Sequence, residues 1–397
     1  MAGSDHGSRA RRPIDKAPPI DKAPPIDKPA PIDKPPPIDK PPPIDKRPPE
    51  SAPTGESPRE DLVGLAATAA PLSSPVEAYF EVANRCNSKC ATCPLTFSPQ
   101  EDARQLSLDE FKALCAQLPD LRRAVLQGIG EPLLNRDLPA MIRHLNQLEV
   151  YTVFNTNAAL LTRRRQVDLI CSGLDELRVS LDSSTPDTYL RIRGIPAFER
   201  VVANVSEMVR TRRSLGAGGP RVSVWMTALR ENLGELPDVI DLAAAMGVDE
   251  VYLQRLVFWG KGMATRSQSV FGGADRARIA SIIEEAEWRA ARHGLRFRGA
   301  DALSPRASLL ERPPTAEPWR ACSRPLRLAY ITSQGTALPC CIAPFTEAPF
   351  ESIRLGNYLE NGVDAVWHGA AYQRFREQLY SSEPPPSCRN CGLAWSL

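Results

Sequence analysis

The sequence predicts an α/β protein: a partial (β/α)6 barrel, then a small α+β domain, with a disordered proline-rich arm in front. Three observations lead there. From about residue 75, short apolar runs alternate with amphipathic stretches, the pattern of parallel βαβ units. Before that point, residues 13–46 hold six near-copies of Pro-Ile-Asp-Lys. After it, residues 301–320 are rich in Pro, Arg and Ser and set off a C-terminal stretch with its own cysteines. The expected divisions are an arm over 1–74, a barrel over 75–300 and an auxiliary domain over 301–397.

In the arm, isoleucines recur every six residues, at Ile14, Ile20, Ile26, Ile32, Ile38 and Ile44. Proline fixes φ and removes a backbone donor, so neither helix nor sheet forms. A polyproline II tether is the expected state. Asp and Lys cancel within each repeat, which leaves the tether near neutral. It reads as a docking arm or spacer, or as a repeat expansion with no catalytic part.

Candidate strands in the barrel region are 78–83, 124–127, 151–155, 176–181, 222–228 and 250–254. Candidate helices lie between them, at 108–117, 138–148, 162–171, 185–191 continuing to 198–213, and 236–246, with a long helix at 275–293 after the sixth strand. Right-handed crossovers roll six such units into an open, TIM-like partial barrel. Chemistry in these barrels sits at the C-terminal ends of the strands. Past the linker, strands at 327–331 and 337–340 flank a Gln334-Gly335 turn, and a helix is expected at 371–379.

A net charge of +2 gives no electrostatic case for nucleic acid or an anionic membrane. No apolar run reaches the roughly 20 residues of a membrane span, and the polar N-terminus does not read as a signal peptide. Ten cysteines without an export signal point to a cytoplasmic protein that uses them for metal or redox work. The four histidines, His6, His144, His293 and His368, are far apart, which argues against a histidine-rich metal site.

Chemistry concentrates in Cys86, Cys90 and Cys93, directly after the first strand. Sulfurs so close on a short loop can turn toward one centre. Three cysteines ligate three irons of a 4Fe–4S cubane, where full protein ligation takes four. The remaining iron is open to a small molecule. A zinc site would need a fourth nearby Cys or His, and the loop offers none.

This loop, with several later motifs in matching order, resembles the radical SAM superfamily over roughly residues 78–391. The resemblance implies a 4Fe–4S cluster on Cys86, Cys90 and Cys93, with S-adenosylmethionine on the open iron. Gly128-Ile-Gly130-Glu131-Pro132 is similar to the family's Gly-Gly-Glu-Pro motif. It implies close backbone approach to the methionine moiety at Gly128 and Gly130, and a Glu131 that accepts from its ammonium. Asn155 ends strand three and would face the same cavity. Ser180 resembles the ribose-binding serine. Arg193 matches an arginine that pairs with the cofactor carboxylate, with Arg191 as a competitor. Leu253 is placed at the end of strand six, where backbone meets adenine. Thr92 departs from the aromatic residue many members carry before the third cysteine, which puts local packing against adenine in doubt.

Cys322, Cys340, Cys388 and Cys391 form a second constellation that resembles the Twitch domain, the one-cluster relative of SPASM. So do Leu355-Gly-Asn357-Tyr358, Trp367, Tyr372, Phe375 and Arg376. Four cysteines would ligate one auxiliary 4Fe–4S cluster; a structural zinc ribbon is the competing reading. Cys341 is expected to point away from Cys340 on the strand, into the cavity or into packing. Cys115 and Cys171 are expected to be buried structural thiols.

The resemblance implies reductive cleavage of S-adenosylmethionine to a 5′-deoxyadenosyl radical that abstracts hydrogen from a substrate. The one-electron donor would be a flavodoxin or ferredoxin. Similarity to the aminocyclitol dehydrogenases of aminoglycoside biosynthesis favours oxidation of a small sugar- or aminocyclitol-like metabolite. The alternative is a peptide-modifying SPASM-type maturase that forms crosslinks, thioethers or epimers. A non-enzymatic scaffold is a third reading. Arg255, Trp259 and the Gly260–Met263 loop are candidates to line the cavity or simply to pack. No residue declares itself a catalytic base.

Overall fold

The structure, a computed structural model of the 397-residue chain, describes residues 73–270, 276–300, 304–306, 317–389 and 391. The Pro-Ile-Asp-Lys arm and most of the expected linker lie outside the described residues.

One sheet organises the chain. Its strands are β1 (Glu77–Phe80), β2 (Arg123–Val125), β3 (Tyr151–Thr156), β4 (Glu176–Ser180), β5 (Arg221–Ala228), β6 (Glu250–Arg255), β7 (Arg296–Gly299), β8 (Leu328–Ile331) and β9 (Ala337–Leu338). Their order is β7-β6-β5-β4-β3-β2-β1-β8-β9. Every pairing is parallel except the β8–β9 hairpin. The six expected barrel strands are present, in sequence order across the sheet. Two findings extend the expectation. β7 adds a seventh parallel strand beside β6, and β8 pairs with β1, so the C-terminal region continues the sheet.

Strand alternation separates two faces. On the outer face, Ala78, Phe80, Leu126, Phe154, Leu177 and Val224 join one apolar core. The helices that cover it are α1 (Leu108–Cys115), α2 (Leu138–Gln147), α3 (Arg163–Cys171), α4 (Pro186–Arg193), α5 (Phe198–Ser214), α6 (Leu236–Met246) and α7 (Arg276–His293). Local chemistry sets their ends. Ser107 and Glu110 form a capping box at the start of α1. Gly194, at φ +68, stops α4, so the helix expected to run on into 198–213 is broken in two.

The inner face is polar, with belts of ion pairs within and between strands. Glu77 pairs with Arg123 and Arg327, Glu176 with Arg178 (2.8 Å) and Arg221 (3.0 Å), and Glu250 with Arg298 (2.7 Å) and Arg296 (3.2 Å). Nearer the C-terminal ends, Trp225 and Tyr252 stack at 4.0 Å with Arg178 over the Trp225 ring at 4.3 Å. Desolvated ion pairs add little net stability; what they do here is satisfy one another's charge in a sheet interior.

Leu253 does not end strand six: β6 runs on to Arg255, and Leu253 is buried in the outer apolar core. Cys171, the last residue of α3, is exposed, whereas Cys115 is buried as expected.

Candidate functional site

The loops that leave the C-terminal ends of β1, β2, β3 and β4 converge around the three-cysteine segment, which is pinned from two sides. Ser88 Oγ donates to Arg193 O (2.8 Å) and Ala91 N to Ile192 O (2.8 Å), tying it to the end of α4. A Cβ on Gly194 would meet Lys89 O at 2.3 Å, so the approach requires glycine there. From the other side, Trp259 Nε1 donates to Thr92 O (2.9 Å) and Met263 N to Ala91 O (2.7 Å). Trp259, buried, is thus a clasp on the cysteine loop, as is Gly262 (φ +53), whose Cβ would meet Ala91 O at 2.2 Å.

Donors already point at the sulfurs. Ser88 N–H reaches Cys86 Sγ at 3.3 Å and Asn157 Nδ2 reaches it at 3.8 Å; Arg193 Nη1 lies 3.8 Å from Cys90 Sγ. Burial pushes the Cys86 thiol up to about 11 and the Cys93 thiol up to about 12. Metal loading therefore has to release protons from these thiols.

Glu131 is 2% exposed. Its carboxylate accepts from Thr156 Oγ1 (2.7 Å), Leu133 N (3.1 Å) and Asn157 N (2.8 Å). Burial raises its pKa against the Asn157 and Thr156 donors. The carboxylate thereby binds the β2 loop to the end of β3. Gly130 allows that loop to touch the cysteine segment: a Cβ would meet Ala83 O at 2.0 Å and Arg85 O at 2.8 Å. A Cβ on Gly128 would meet Glu81 Oε2 at 2.1 Å.

Asn155 and Ser180 both lie on the inner face near the C-terminal ends of their strands. The Asn155 Oδ1 is buried without a hydrogen-bond partner. Arg193 pairs with Asp182 at 2.7 Å. Burial alone would depress the Arg193 guanidinium, but Asp182 and Cys90 outweigh it and keep the charge. Its Nε is also buried and unpartnered. Arg191 is half exposed and bound to Glu231 (2.7 Å), which removes it from the site.

Sequence reasoning missed Glu81, at the end of β1. It accepts from Ile129 N (3.0 Å) and from Ser333 N (3.3 Å). Burial lifts its carboxyl to about 7. The available signal was a carboxylate at the inner-face parity of an otherwise apolar strand.

The second constellation gathers beyond β8. The thiol of Cys340 is raised well above its ordinary value, first by burial and then by Cys341, Cys391 and Cys322 nearby. Burial raises Cys388 to about 12, with Cys391 and Cys322 adding to it. Arg324 sits among them: burial would lower it, yet Cys341, Cys322 and Cys340 hold it above its usual range. Arg376 braces the region by donating to Trp367 O (2.7 Å) and Pro325 O (2.9 Å). β9 ends at Leu338, short of the expected 340. Cys340 and Cys341 therefore stand in the following turn, where strand alternation does not separate them. Both pack against the buried cluster of Leu328, Tyr330, Leu338, Ala343 and Ile353.

Both sets fit iron–sulfur clusters by their chemistry. Among the described residues, no three Cys, His, Asp or Glu side chains close on a single ion. The sulfurs nonetheless lie near enough to raise one another's pKa. A cluster places each cysteine on its own iron, whereas zinc needs all its ligands on one point. The buried, unpartnered Asn155 Oδ1 and Arg193 Nε suit a polar cofactor beside the first set.

The sequence matches the radical SAM superfamily over residues 80–252 and an iron–sulfur cluster-binding (SPASM) domain over 322–392. The chain belongs to the radical SAM superfamily. It is a radical SAM enzyme with a C-terminal SPASM domain, and its cofactors are a 4Fe–4S cluster with S-adenosylmethionine and an auxiliary cluster. It is 25% identical to the PqqA peptide cyclase of Bradyrhizobium diazoefficiens over 81% of this chain and 80% of that one. It is 27% identical to the PqqA peptide cyclase of Rhodopseudomonas palustris over 79% of each. Its fold resembles Streptococcus suis SuiB bound to S-adenosylmethionine (TM-score 0.61, 18% identity), covering 80% of this chain and 72% of SuiB. It also resembles anSMEcpe with bound AdoMet and Cp18Cys peptide (TM-score 0.52, 12% identity), covering 77% of this chain and 84% of that one. No helix among the described residues is long and apolar enough to cross a membrane.

Proposed function

We propose that this enzyme modifies a peptide, forming a crosslink, thioether or epimer within it. The observation that carries this reading is the match to peptide cyclases across four-fifths of the chain. Oxidation of an aminocyclitol, the reading favoured by the C-terminal cysteines alone, is the competing assignment.

In this reading Cys86, Cys90 and Cys93 hold the first cluster, and Cys322, Cys340, Cys388 and Cys391 the auxiliary one. Together with S-adenosylmethionine, the first cluster supplies a one-electron cleavage that yields a hydrogen-abstracting carbon radical. The protein positions and insulates. Glu131 fixes the β2 loop so that the backbone at Gly128 and Gly130 stays close to the cofactor. Asp182 orients the Arg193 guanidinium, whose unpartnered Nε would be available to the cofactor carboxylate. Asn155 and Ser180 contribute polar groups from the inner face. A flavodoxin or ferredoxin delivers the electron.

The test is anaerobic reconstitution, then incubation with S-adenosylmethionine, a reductant and synthetic peptides encoded by short reading frames beside the gene. The expected result is a modified peptide, carrying one new crosslink or an inverted residue, with 5′-deoxyadenosine formed alongside it. Conversion of an aminocyclitol to a ketone, with every peptide unchanged, would reverse the assignment.

A further inference from the structure

Beyond the cluster loops, the chain has a large cavity between the segment after β6 and the segment after β9. Its volume is roughly 610 Å³, within the span of about 300–1,000 Å³ typical of ligand sites and more than one cyclitol ring fills. One wall carries Phe258 and Arg266, the other Ile342, Phe345 and Glu347, and Cys391 also lines it. Arg266 and Glu347 are exposed, so the cavity opens to solvent.

We infer that this groove binds an extended segment of the substrate peptide, one that bears apolar side chains and charges of both signs. The inference rests on the peptide reading above. Phe258, Ile342 and Phe345 supply apolar contact. Arg266 and Glu347, on opposite walls, suit an acidic and a basic side chain of the occupant. Placement supports the assignment as much as chemistry does. The segment after β6 has two neighbours: Phe258 and Gly260 border the groove, while Trp259 and Met263 hydrogen-bond the cysteine loop at Thr92 and Ala91. Cys391 belongs to the second constellation. A chain lying in the groove therefore touches the clasp of the first cysteine set and a ligand of the second. Glu347 itself packs against Gly260, where a Cβ would meet its Oε1 at 2.3 Å, so the two walls meet through that carboxylate.

The test uses fluorescein-labelled versions of the synthetic peptides from the flanking reading frames, titrated into reconstituted holoenzyme and followed by anisotropy. Ala348→Trp fills the groove and is expected to weaken binding about tenfold or more. Glu347→Lys and Arg266→Glu are expected to weaken it less and to reduce its dependence on salt. Iron and sulfide content confirm that each variant is folded and loaded. Should Ala348→Trp fail that check, the surface change Arg266→Glu carries the test. If wild type binds and modifies a peptide and these variants bind it equally well, the groove assignment is wrong while the peptide reading stands. If no flanking peptide binds or is modified by wild type, the peptide reading fails and the groove assignment falls with it.

Discussion

Adding one methyl group at Gly130 tests how the site is built. The new Cβ would lie 2.0 Å from Ala83 O and 2.8 Å from Arg85 O, where carbon contacts relax only near about 3.5 Å. Both obstacles are backbone, so no side chain can swing aside. Glu131 N also donates to Arg85 O at 2.8 Å, which locks the two loops in register. The segment must therefore shift by about an ångström or more, at a cost of about 1–3 kcal/mol, the usual range for overpacking. It leads straight into Cys86, so the shift displaces a cluster ligand as well. Gly130→Ala is expected to lower the melting temperature by roughly 2–12 °C and to reduce iron bound per chain after anaerobic reconstitution. Gly234→Ala is the matched control, since nothing lies within 4 Å of its added Cβ; it should stay within about 0.5 kcal/mol of wild type. A Gly130→Ala protein that melts with wild type and holds full iron would refute the close approach and the steric reasoning drawn from it.

Three further outcomes follow from the same geometry. Asp182→Asn leaves the Arg193 guanidinium buried without its carboxylate, and should cost about 3–5 kcal/mol, read from the urea midpoint. Wild type should carry about eight irons per chain and Cys388→Ala about four, by iron and sulfide analysis. Glu81 titrates at 4.5 when unfolded and at about 7 when buried. The folded chain thus holds an extra proton between those values. The stability this adds is whole below about pH 4.5 and gone once the pH passes about 7. Unfolding measured from about pH 5 to 7.5 should show wild type losing stability relative to Glu81→Gln, which has no such proton to lose.

The barrel was legible where strands bury apolar residues on the helix side, because period-2 runs then alternate with amphipathic helices. It was illegible where charge replaces that pattern. β7 reads Arg-Phe-Arg-Gly, and its arginines serve as partners of Glu250, so no apolar alternation marks it. The cysteine spacing was visible because its chemistry is local. What holds the cysteines in place was not: Ser88 meets Arg193 across 105 residues and Trp259 meets Thr92 across 167. Local pattern carries no record of such pairings. Cys171 misled for a related reason, since it ends α3 among apolar neighbours yet falls past the buried stripe.

The strand order explains how one carboxylate comes to join the glycine motif to the β8–β9 turn. β1 lies between β2 and β8, so the loop after β1 has the glycine motif on one side and the β8–β9 turn on the other. Glu81 occupies that junction, taking Ile129 N–H from the first and Ser333 N–H from the second. One residue pair below it, Tyr79 and Tyr330 stack at 6.0 Å, and Tyr79 packs in the cluster that holds Cys340 and Cys341. β8 is built onto the first strand of the barrel, and that attachment sets the β8–β9 turn beside the loop that leaves β1.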